Sequence, residues 1–131
     1  MGAPAIPVTS KRKRRVVVVD DEVAIASTLK AILNHSGFDA HAMFSGQELV
    51  DSLETLRPDV LIMDVEMPGM TGIEAAIITR RKLPNCKILL WSGRAATSGL
   101  LLKAREQGHE FELLGKPVNL PDLLAKLRTS S

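Results

Sequence analysis

Arg15–Val19 reads RVVVV, four valines with no polar interruption. A strand with one wet face alternates apolar and polar side chains; a strand without alternation must be covered on both faces. Parallel strands achieve this, because each crossover between them lays a helix on the sheet. The rest of the chain supplies such crossovers. Residues 24–33 set Ile25, Leu29, Ile32 and Leu33 on one helical stripe, with Gly37 placed to end it. A short strand is predicted over 39–44. Ser45-Gly-Gln-Glu48 is a capping box that opens a helix carrying Leu49, Val50, Leu53 and Leu56. Pro58 precedes a strand over 60–63, and Thr71-Gly-Ile-Glu74 is a second capping box, whose helix runs to about Lys82. Pro84-Asn85 turns the chain into a strand over 87–91. A helix over 95–107 ends at Gly108, a short strand covers 111–114, and Asn119 caps a last helix through Leu127. Five strands alternating with five helices predict an α/β fold: a doubly wound, five-stranded parallel sheet with helices on both faces.

An apolar fraction of 45% over 131 residues suffices for one core and one domain. A single cysteine, Cys86, rules out an internal disulfide and fits a reducing compartment. No apolar run approaches membrane-spanning length, the N-terminus lacks an apolar signal region, and Ile6 stands where a myristoylation signal needs Ser or Thr. The expectation is a soluble, cytoplasmic protein. The formal charge of +2 hides a division. Five basic residues are packed into 11–15, and without them 12 Lys+Arg face 15 Asp+Glu, or −3. The leader MGAPAIPVTSKRKRR has no periodicity, and residues 1–13 are expected to be a disordered basic arm ahead of a domain over 14–129. Residues 11–15 are the one feature that suits nucleic acid, although a solvated tail explains them more simply.

In a sheet of this kind, ligands bind outside the carboxyl ends of the strands, where strand order reverses. The residues at those ends are Asp20-Asp21-Glu22, Phe44-Ser45, Asp64, Ser92-Gly93 and Gly115-Lys116-Pro117. If the first and third strands flank the reversal, Asp20, Asp21 and Asp64 share a crevice. Carboxylates so gathered raise each other's pKa values unless a positive charge sits among them. Oxygen ligands alone select a hard cation, and Mg²⁺ accepts one or two carboxylates together with phosphate oxygens. Lys116 adds a mobile positive charge and Ser92 a hydroxyl donor, which together describe a phosphoryl site. A carboxylate can itself be the nucleophile and form an acyl phosphate.

VVVVDDE (16–22), LIMDVEMPGMTG (61–72), LLWSG (89–93) and GKPV (115–118), in this order and spacing, resemble the receiver domain of bacterial two-component response regulators. The resemblance covers about residues 14–129. It implies a flavodoxin-like sheet of order 2-1-3-4-5. It implies that Asp64 is the phosphoacceptor, served by a histidine kinase or phosphotransfer protein. Asp20 and Asp21 would hold Mg²⁺, Asp21 the more directly, with Asp64 and the backbone carbonyl of Glu66 completing the protein's share. Ser92 would be the switch hydroxyl and Lys116 the cation paired with the phosphoryl group. The Lys116-Pro117 peptide would be cis. Output would come from an unknown downstream protein binding to the fourth helix, fifth strand and fifth helix. The chain is then expected to be a stand-alone switch, a phosphoacceptor with slow self-hydrolysis rather than an enzyme turning over a separate substrate.

Two positions depart from the family's pattern. An aromatic residue usually stands three before the lysine; Leu113 stands there, and Phe111, on the same strand face, is the substitute candidate. Glu66 adds a fourth acid that would repel phosphate, position water or point to solvent. These departures support an alternative, a protein-interaction module that works without phosphorylation. Glu66 also occupies the general-acid position of aspartate-nucleophile phosphatases, but a chain this short is expected to lack a cap domain that would enclose a substrate. His35, His41 and His109 share no ligand spacing, Met63, Met67 and Met70 read as packing, Cys86 has no assigned role, and Trp91 is expected to pack in or near the sheet edge beside Ser92.

Overall fold

The computed structural model describes residues 12–93 and 97–128. Among them five strands alternate with five helices: β1 (Arg15–Val19), α1 (Val23–His35), β2 (Asp39–Met43), α2 (Gly46–Leu56), β3 (Val60–Asp64), α3 (Gly72–Lys82), β4 (Lys87–Ser92), α4 (Thr97–Glu106), β5 (Glu112–Gly115) and α5 (Leu120–Arg128). All neighbouring strands are parallel, in the order β2-β1-β3-β4-β5. The expected doubly wound sheet is therefore the observed one. Residues 1–11, most of the expected arm, lie outside the described residues, as do the first residues of the predicted fourth helix.

The unbroken valine run does what its composition demands. Val16 and Val18 pack under α1 and α5 with Leu29, Leu33, Leu123 and Leu127. Val17 and Val19 pack on the opposite face with Leu49, Leu53, Leu61 and Ile73, beneath α2 and α3. β1 has β2 on one side and β3 on the other, so the sheet reverses at β1/β3. That reversal fixes where the strand exits Asp20 and Asp64 meet.

Local signals set the helix starts. Thr71 Oγ1 accepts from the Glu74 N–H at 3.2 Å, and the Glu74 carboxylate accepts from the Thr71 N–H at 2.8 Å, a complete capping box. At α2 the exchange is displaced by one residue. Ser45 Oγ accepts from the Glu48 N–H, but the Glu48 carboxylate takes the Phe44 N–H instead. Asn119 Oδ1 accepts from the Asp122 N–H at the head of α5. Gly37, at φ +100°, turns the chain out of α1.

β5 begins one residue later than predicted. Its register follows β4, pairing Leu113 with Leu90 and Gly115 with Ser92. Trp91 packs in β4, the strand beside edge strand β5, next to Ser92, and the indole is 3% exposed. Cys86 is buried, and burial pushes its thiol up to about 12, which leaves it protonated and inert.

Candidate functional site

Three strand exits converge at the carboxyl edge of the sheet. Asp20 follows β1 and is wholly buried; its N–H donates to the Met43 carbonyl of β2, and its Oδ1 accepts from the Glu22 N–H at 2.9 Å. Asp64 closes β3 and is 5% exposed. Ser92 closes β4 and is buried, while Asp21 is exposed at the mouth. One carboxylate oxygen from each of Asp20, Asp21 and Asp64 can be chosen so that all lie within 4.8 Å of one another.

Lys116, just past β5, reaches into this group. Its Nζ stands 3.1 Å from Asp20 Oδ2 and 3.4 Å from Asp64 Oδ1, and 4.8 Å from the centre of the Trp91 ring. The Lys116-Pro117 peptide is cis, as the resemblance implied. Burial opposes the lysine's charge, but the hydrogen bond to Asp20 and the charges of Asp64 and Asp20 outweigh it. Its ammonium is therefore held above the ordinary lysine range. Asp64 shifts in the less usual direction for a paired acid. Burial and the nearby Asp20 carboxylate raise it from 3.8 to about 6, against the lowering influence of Lys116 and of the Glu66 N–H. A carboxylate with a raised pKa that still ionises at neutral pH is a more basic nucleophile than an ordinary aspartate.

The path of the chain after Asp64 depends on one glycine. The Gly72 N–H donates to the Val65 carbonyl at 2.9 Å, and a Cβ on residue 72 would fall 2.1 Å from the Asp64 carbonyl oxygen. The backbone of α3 thus lies directly against the strand exit that carries Asp64.

Glu66 does not simply point to solvent. Its backbone N–H donates to Asp64 Oδ1 at 3.3 Å, and its Oε1 accepts from the Ser92 hydroxyl at 3.3 Å. This second contact was not legible beforehand, because residues 26 positions apart carry no local signal. Phe111 lies outside β5. Arg80 stacks over its ring at 4.5 Å and His109 lies 6.4 Å away. Gly115 is level with Ser92, so Phe111 sits four residues below it, roughly 13 Å along the strand. Leu113, 44% exposed, is two residues below on the same face as Leu90. His41 sits 3.1 Å from the Asp39 carboxylate, away from the acidic group.

The donor set fits a hard divalent cation: three carboxylates, oxygen only, one of them open to solvent. Among the described residues no helix is long and apolar enough to cross a membrane.

Comparison with known proteins gives the family of the chain. Response regulator MprA of Mycobacterium avium is 31% identical over 114 residues, 87% of this chain and 49% of its own length. The DNA-binding response regulator MtrA of Mycobacterium tuberculosis is 27% identical over 116 residues, 88% of this chain and 50% of that protein. The chain thus spans about half the length of these curated relatives. A CheY-like receiver domain protein from Methanospirillum hungatei superposes with a TM-score of 0.80 at 26% identity, over 89% of this chain and 92% of that one. Chemotaxis protein CheY4 of Vibrio cholerae gives 0.79 at 26% identity, over 92% of this chain and 100% of that one. Residues 16–128 match the family described as the response regulator receiver domain, and the chain belongs to that family.

Proposed function

We propose that the chain receives a phosphoryl group on an Asp64 carboxylate oxygen from the phosphohistidine of a kinase or phosphotransfer protein. The P–O bond to Asp64 forms as the P–N bond to imidazole breaks, leaving an acyl phosphate. The observation that carries this reading is Asp64 itself: a buried carboxylate of raised pKa, fixed by the Glu66 N–H and by Lys116. Lys116 already bridges Asp64 and Asp20, so its ammonium is placed to follow negative charge onto an incoming phosphoryl oxygen. Asp20, Asp21 and Asp64 would hold Mg²⁺ with the Glu66 carbonyl, and the ion would supply charge neutralisation at the phosphoryl oxygens. Ser92 would close on the acyl phosphate, and the α4–β5–α5 face would carry the change to a protein partner. Slow hydrolysis of the acyl phosphate would reset the switch.

Intact mass after incubation with acetyl phosphate and Mg²⁺ tests this reading. One added phosphoryl group is expected, absent without Mg²⁺ and absent in Asp64→Asn. A variant that gains the same adduct as wild type would place the chemistry elsewhere.

A second reading, an interaction module that works without phosphate, draws on the Glu66–Ser92 hydrogen bond, which engages the hydroxyl in advance. The two readings part at Glu66→Gln. If Glu66 is a like-charged competitor in a working switch, its neutralisation should speed phosphorylation by acetyl phosphate about two- to fivefold at low salt. In the phosphate-independent module no such rate exists to change.

A further inference from the structure

We infer that a second ligand site lies at the opposite edge of the sheet, built for an organic phosphate monoester of about mononucleotide size. The amino ends of β1 and β3 open there into a cavity of about 420 Å³, within the range of small-molecule sites. Arg12, Arg15 and Arg57 line it, with Asp59 as the one acidic lining residue among those described. Asp59 is already committed. Its Oδ2 accepts from the Arg15 N–H at 2.7 Å and its Oδ1 meets Arg12 Nη2 at 3.2 Å. The Arg15 guanidinium is likewise tied, to Asp39 and to the Leu56 carbonyl at the end of α2. These contacts hold Arg12 and Arg15 in place, each against its own carboxylate, Asp59 and Asp39, so that Arg57 is the guanidinium in excess.

Arg57 is the telling residue. No described residue gives its guanidinium a hydrogen bond or ion pair. It is also the one non-glycine residue with positive φ among those described, at +47°. It caps α2 in the left-handed conformation, a place where glycine is the inexpensive choice. A strained arginine with an unengaged guanidinium, on the lining of a cavity that two further arginines share, has the character of an anion site. The other wall is apolar: Pro58, Leu83 and Pro84 offer a surface for the body of the ligand. This accounts for basic residues that the phosphoryl site at the far edge does not use.

Titration of the full chain with adenosine 5′-monophosphate, followed by calorimetry, tests the site. Inorganic phosphate, adenosine and a short single-stranded oligonucleotide serve as the other arms. Saturable binding of the nucleotide is expected, tighter than that of phosphate or adenosine. Arg57→Gly should weaken it about tenfold or more, the loss of a charge-assisted contact. Because glycine relieves the positive φ, that variant should melt no lower than wild type, so lost binding would not reflect lost folding. Asp64→Asn should bind the nucleotide normally, which keeps this result independent of the phosphoryl reading. Absence of saturable nucleotide binding, or binding unchanged in Arg57→Gly, overturns the site. So does phosphate binding as tightly as the nucleotide. Salt-dependent oligonucleotide binding without nucleotide saturation would overturn it in favour of a nucleic-acid backbone.

Discussion

At pH 7.5 and without divalent cations, Asp64→Asn is expected to melt about 8 °C above the wild type, roughly 2 kcal/mol for a domain of this size. The folded protein raises the Asp64 pKa from 3.8 to about 6. Between those values the folded state keeps a proton that the unfolded chain has released, so wild-type stability falls as pH rises through the window. Above about pH 6 the whole cost is present, up to about 3 kcal/mol at 1.36 kcal/mol per pH unit. The amide keeps the acceptor oxygen used by Lys116 and the Glu66 N–H but carries no charge to desolvate or to repel Asp20. Lys116 loses one charged partner and keeps Asp20, which returns part of the gain. Melts of both proteins near pH 4 and at pH 7.5 check this. The gap should open with rising pH, and a variant equal to or less stable than wild type at pH 7.5 would contradict the account of Asp64.

Gly72→Ala is expected to cost about 3 kcal/mol or more, the upper end of what overpacking does, and to lower the melting temperature by about 10 °C. The new Cβ would fall 2.1 Å from the Asp64 carbonyl oxygen, 2.8 Å from Val65 Cα and 2.9 Å from the Asp64 carbonyl carbon. All three are backbone atoms, so no side chain can rotate away. Alanine's better helix propensity returns at most about 1 kcal/mol. Relief requires moving either α3 or the strand exit, and the second displaces Asp64 from Lys116. Gly46→Ala is the control: its Cβ would meet Met70 and Ala75 side-chain atoms no nearer than 3.3 Å, and the methionine can yield. Chemical denaturation of the two variants decides the matter; Gly72→Ala within about 1 kcal/mol of wild type would show that the backbone there has slack.

What the sequence disclosed and what it hid divide along physical lines. The valine run of β1 announced a strand covered on both faces because it has no polar side to hide. Ser45, Thr71 and Asn119 marked helix starts because caps act within three residues. Asp20, Asp21, Asp64, Ser92 and Lys116 were legible because strand exits share one edge of a parallel sheet. Features that depend on distant pairing were not legible. β5 carries exposed residues along most of its length, so no alternation marks its start, and its register comes from β4. The Glu66–Ser92 contact and the meeting of Arg12, Arg15 and Arg57 join segments 26 to 45 positions apart, beyond any local pattern. The depth of burial of Trp91, in the strand beside edge strand β5, was likewise set by distant elements that bulk alone does not reveal.

The packing of that tryptophan also shapes what can be seen of the molecule in solution. The chain has one Trp and no Tyr, so almost all its near-ultraviolet absorption and emission arises at a single indole. That indole is shielded from water and has the Lys116 ammonium beside its ring, one residue from Ser92. An ammonium held against an excited indole shifts the energy of its charge-separated state, and the shift follows the ammonium when it moves. The optical spectrum of the whole protein is in effect a record of where one lysine stands.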